Sequence, residues 1–149
     1  MKKVIKLTES QLETIKRRVS EQEEEKAESS NGMDTLASHL LFSQTQVHIF
    51  HLQTDSYAEH KALQGYYEGI DDLADSLIEA YQGENDIIDN YTSFPVKKYE
   101  GKEMVIGYFD ELLSVIEDSR EGLPQHLQNI IDTIVELITS TLYKLKRLK

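Results

Sequence analysis

Only two prolines interrupt this chain, Pro95 and Pro124. Both stand where a helix would start or stop. Proline removes a backbone donor and clashes with the preceding turn, so its scarcity leaves long segments free to be helical. Those segments carry apolar residues at helical rather than alternating spacing, and the fold class read from them is all-α. Cysteine is absent, which excludes a disulfide framework, a thiolate zinc site and thiol catalysis.

The pattern divides the chain in two. Residues 1–33 are read as an N-terminal amphipathic helix and linker. Thr8, Glu9, Ser10 and Gln11 have the form of a capping box, and Leu12, Ile15 and Val19 follow at helical spacing. Three apolar residues make a stripe too thin to hold an isolated helix. The run from Glu28 to Met33, with Ser29, Ser30, Asn31 and Gly32, reads as the linker.

Residues 34–149 are read as a four-helix bundle. A first helix is expected from about Asp34 to Leu52, on a face of Leu36, Leu40, Leu41, Val47 and Leu52. Thr54, Asp55 and Ser56 break it and cap a second helix, from about Tyr57 to Tyr81, which stops at Gly83. Residues 84–101 read as a loop with at most one short helix. A third helix covers about Lys102 to Asp118. A fourth follows Pro124 and reaches Leu148, with its isoleucines and leucines on about half the circumference. A long connection between the second and third helices is the connectivity of ferritin-like folds.

Charge narrows the function. With 27 acidic against 16 basic residues and a formal charge of −11, the surface is poorly suited to phosphate neutralisation, which argues against DNA as a partner. It suits a surface or cavity that gathers cations. No apolar run reaches the ~18 residues of a membrane span, and Met1–Ile5 is too short and charged for a secretory leader. A soluble, cytoplasmic protein with no membrane contact is expected.

Three of the five histidines fall within His48–His60. His48 and His51 lie on the apolar stripe of the first helix. In the second helix Leu63, Tyr66, Tyr67, Ile70, Leu73, Ala74, Leu77 and Tyr81 share one arc, which must face the bundle. Starting from His60, the opposite arc carries Gln64, Glu68, Asp71, Asp75 and Glu79, with Lys61 as its single cation. A site built here lies outside the core of its own bundle. Imidazole and carboxylate together, with positions left open, are the ligand mix of Fe(II) chemistry. The bland alternative is equally concrete: histidines bonded in the interior and an acidic face that is simply solvated.

At these residues the body, about 34–149, resembles the Dps-like mini-ferritins. His48-Ile49-Phe50-His51-Leu52 is similar to the family's histidine signature at the end of the first helix. Asp75 follows His60 by fifteen residues and Glu79 by nineteen, the spacing of the family's carboxylate ligands. The resemblance implies iron bound between subunits of a homo-oligomer (a dodecamer in that family), with His51 and His60 from one subunit and Asp75 and Glu79 from its neighbour. It implies a ferroxidase that oxidises Fe(II) with peroxide or dioxygen, stores the ferric product and so protects against oxidative damage. This sequence departs from the pattern at Gln64, where the family commonly has another Asp, at Leu52 in place of Trp, and in a shorter 51–60 interval. The first 22 residues also resemble a leader that recurs on bacteriophage proteins, which implies a docking partner for that helix and location in a virion. The competing expectation is a non-catalytic ferritin-like bundle, a virion structural or interaction protein.

Overall fold

The structure, a computed structural model, describes residues 7–149, with side chains at 7–24 and 32–149. Residues 1–6, including Lys2, Lys3 and Lys6 of the expected leader, lie outside the described residues. The described chain contains α1 (Glu9–Gln53), α2 (Tyr57–Gln82), α3 (Lys102–Ser119) and α4 (Gln125–Arg147). It has no strand among the described residues. The all-α bundle expected from periodicity is present, and residues 84–101 contain no helix.

The cap of α1 is the one read from the sequence. Gln11 N–H donates to Thr8 Oγ1 at 3.3 Å, and Thr8 N–H donates to Gln11 Oε1 at 3.0 Å. Beyond it, α1 continues without a break to Gln53. The linker expected at 28–33, and with it a helix start at Asp34, is therefore corrected: this run is helical. No proline stands in it, and one helical glycine costs only about 1 kcal/mol. A helix already formed on either side needs no new nucleus to pass through. A Cβ at Gly32 would make only an ordinary contact, 3.6 Å from Ser119 O at the end of α3.

What changes near residue 33 is packing. Leu12, Ile15 and Val19 are 44%, 44% and 46% exposed, whereas Met33, Leu36 and Leu40 are fully buried. From there α1 packs on α2 and α3, and α4 closes the bundle against the same two helices. The buried side chains Phe50, Tyr66, Phe109 and Ile131 bring one residue from each helix into that core.

The connection between α2 and α3 is laid along α1. Thr92 N–H donates to Ser38 Oγ at 2.9 Å. Lys97 is held twice by fully buried Gln46: its N–H donates to Oε1 at 2.7 Å and its C=O accepts from Nε2 at 2.8 Å. Tyr99 N–H donates to Gln53 Oε1 at 2.9 Å. Residue number rises together on both partners, so the connection runs in the direction of α1. It carries the chain from the end of α2 to the opposite end of the bundle, and α3 returns from there to the neighbourhood of Gly32. Consequently α2 and α3 point the same way. Gly101 opens α3 at φ 111°, a conformation that favours glycine.

Candidate metal centre

His51 lies in the last turn of α1 and His60 in the first turn of α2, joined by the turn at Thr54–Ser56. Ser56 caps α2 by accepting from Glu59 N–H at 3.3 Å. Thr54 Oγ1 and Tyr99 Oη both donate to Glu59 Oε2, at 2.8 and 2.7 Å. This one buried carboxylate therefore ties the end of α1, the start of α2 and the end of the crossover together. Burial raises the Tyr99 phenol's pKa above its ordinary value, as does the adjacent Glu59.

The short turn folds the two imidazoles onto each other. Their centroids are 3.6 Å apart with 27° between planes. His51 Nδ1 lies 2.8 Å from His60 O, and His60 Nδ1 lies 3.0 Å from His51 O. A carbonyl oxygen only accepts, so each Nδ1 carries its hydrogen, and in the neutral rings each Nε2 keeps its lone pair. His51 O belongs to the last turn of α1, whose carbonyls have no helical partner, and the His60 ring satisfies it. This crossed arrangement fixes the tautomer and orientation of both rings, as backbone carbonyls do for metal-ligating histidines.

The sequence placed His51 correctly on the buried side, where it is 7% exposed. His48, expected on the same stripe, is exposed instead. It stacks on Tyr67 at 4.1 Å between centroids and stands 5.8 Å from the His51 ring. Tyr67 meets His51 edge-on at 5.1 Å. His39 and His126 lie apart: the first packs tilted on Phe94 at 4.2 Å between centroids, with its pKa lowered by burial, and the second sits 3.5 Å from Glu84.

Asp75 and Glu79 are exposed on the outer face of α2, as the wheel required. At ~1.5 Å per residue they stand about 22 and 28 Å along the helix from His60. One chain thus brings His51 and His60 together and leaves the carboxylates several turns away. Among the described residues no three His, Cys, Asp or Glu side chains gather to hold a metal ion. Between the two ends, Lys61 Nζ donates to Gln64 Oε1 at 2.7 Å and Gln64 Nε2 donates to Glu68 Oε1 at 2.8 Å. Sequence reasoning missed Glu59 and the role of Tyr67. The Ser56-x-x-Glu59 spacing was the available signal for the first, and the ring contacts of Tyr67 had none.

Nothing among curated proteins or solved structures matches this chain. Residues 51–145, from the buried histidine to the last turn of α4, match a family of unknown function (DUF5856), and the chain belongs to that family.

Proposed function

We propose that His51 and His60 are the imidazole half of an Fe(II) site whose carboxylate half, Asp75 and Glu79, comes from a second copy. The assembled protein would be a ferritin-like ferroxidase of the Dps type, with iron as its substrate. The observation that carries this reading is the crossed His51–His60 pair. Two adjacent rings with Nδ1 fixed on backbone oxygen leave both Nε2 lone pairs available, the tautomer that metal-ligating histidines hold.

The long crossover between α2 and α3 supports the ferritin-like part. The register of α2 supports the second copy. A two-fold axis crossing α2 near Glu68, with the two copies of α2 antiparallel, would set His60 of each protomer between the levels of Asp75 and Glu79 of its partner. That axis also sets the N-terminal half of the face, with Lys61, against the acidic C-terminal half. Two imidazoles and two carboxylates leave coordination positions for dioxygen or peroxide. Fe(III) is harder and hydrolyses more readily than Fe(II), so the oxidised product would leave the site as ferric oxyhydroxide.

A non-catalytic bundle is the second reading. The Lys61–Gln64–Glu68 chain favours it, because it occupies the surface beside His60 where a further ligand would be expected. The same two-fold would also bring two Glu68 carboxylates close together. Anaerobic Fe(II) titration followed by air separates the two. An iron-oxidising site gives ferric absorbance that saturates at a small integral ratio of iron to chain and disappears in His60→Ala. No ferric signal above that of the variant would leave the non-catalytic bundle.

A further inference from the structure

The N-terminal part of α1 stands clear of the bundle core: every described side chain from Glu9 to Glu24 is exposed. From Glu9 to Met33 it extends about 36 Å before the bundle core begins. The large apolar side chains described along it, Leu12, Ile15 and Val19, are all nearly half exposed. Their spacing of three and then four residues is that of alternating a and d positions in a heptad. On that frame Lys16 and Glu23 occupy e positions, and Gln11 and Arg18 occupy g positions.

We infer that this segment pairs with the same segment of a second copy, as a short parallel, in-register coiled coil. Charge selects the partner and the direction. In a parallel pair each g position meets the e position five residues on in the other chain. Arg18 then faces Glu23 of the second copy, twice by symmetry, and Gln11 faces Lys16 without repulsion. An antiparallel pair that seats Ile15 against Val19 of the second copy instead sets e positions beside e and g beside g, so Lys16 meets Lys16 and Arg18 meets Arg18, cation against cation. Arg17 points away from the seam and is already engaged with Glu21 at 3.6 Å on its own helix.

Two heptads bury little surface, so this contact is weak and its association depends on concentration. It does not rest on the metal site, and because residues 9–24 lie outside the bundle core, substitutions there leave the core intact.

The test uses the full chain. Sedimentation velocity over a concentration series should show Ile15→Glu raising the midpoint of association by at least about tenfold. Arg18→Glu should weaken association several-fold, and adding Glu23→Arg to it should restore it. The sequence has no cysteine, so single cysteines report geometry cleanly. Gln22→Cys, at a d position, should form a covalent dimer under mild oxidation much faster than outward-facing Arg17→Cys. Association that persists unchanged in Ile15→Glu overturns the inference. Equal cross-linking rates at positions 22 and 17 overturn the parallel pairing, as does a chain that never associates at all.

Discussion

Tyr66 is fully buried, with its hydroxyl 2.8 Å from Ser43 Oγ. Ser43 Oγ in turn donates its one hydrogen to Leu40 O at 2.7 Å, so the phenol must be the donor in the pair. That asymmetry predicts unequal costs. Ser43→Ala strands a buried O–H and should destabilise the bundle by about 1–3 kcal/mol, whereas Tyr66→Phe removes one bond and should cost about 1 kcal/mol. Urea denaturation of both variants and the double variant measures the order and the coupling, and a larger loss in Tyr66→Phe would contradict the donor assignment. Burial also pushes the Tyr66 and Tyr108 phenols well above their ordinary pKa. Their folded values are raised, so the stability they contribute is complete below the unfolded phenol pKa of about 10 and declines as pH rises beyond it. Tyr66→Phe should lose less of its remaining stability between neutral pH and pH above ~10 than the parent does, and an equal loss would count against this. At this scale the sequence showed that Tyr66 is core, because it shares an arc with Leu63, Ile70 and Leu77. It could not show which partner the hydroxyl finds, since Ser43 lies on another helix.

The bounds of α2, α3 and α4 were readable nearly to the residue. Ser56, Gly101 and Pro124 stand at the starts of α2, α3 and α4, and breakers or caps of that kind act locally enough to be seen in one dimension. The unbroken α1 was not readable. Ser29, Ser30, Asn31 and Gly32 each disfavour helix by less than or about 1 kcal/mol relative to Ala, which shifts a prior but does not outweigh propagation from a helix packed on one side. The crossover was seen as a loop, but its anchoring was not, because Ser38, Gln46 and Gln53 read as ordinary polar residues of a helix. Gln46 carries the clearest prediction. It binds both the N–H and the C=O of Lys97, so Gln46→Leu removes two hydrogen bonds at once and should cost about 2–3 kcal/mol. The loss should be local. Amide exchange near residues 92–99 should rise far more than exchange in α4, and a uniform rise across all four helices would mean that the crossover does not open independently of the bundle.

For the molecule as a whole the main question is whether the proposed ligands can meet at all, in one chain or between two. The placing of the acidic arc outside the bundle was legible from the sequence. The crossed histidine pair was not, because it depends on the three-residue turn at 54–56 folding α2 back so tightly that each ring reaches the other's carbonyl. Geometry within one chain separates His60 from Asp75 by about 22 Å, so no rearrangement short of unfolding α2 joins them, and any four-ligand site must be intermolecular. That makes a complementation experiment decisive. His51→Ala with His60→Ala keeps the carboxylates and loses the imidazoles; Asp75→Asn with Glu79→Gln does the reverse. Each variant alone should fail to bind Co(II), an optical stand-in for Fe(II), and to oxidise iron. Mixed and reassembled, they should recover activity, because a heterodimer pairs the intact histidines of one chain with the intact carboxylates of the other, while its second site carries neither. At equal mixing about half the dimers are heterodimers with one working site of two, so recovery should approach about a quarter of the parental metal capacity. Recovery at that level would place the four ligands across a two-fold seam. If both variants bind Co(II) as the parent does, His51 and His60 are structural and the intermolecular site is wrong. If both fail and the mixture stays inert, the ligands do not meet between copies, and the crossed pair serves only to close the turn between α1 and α2.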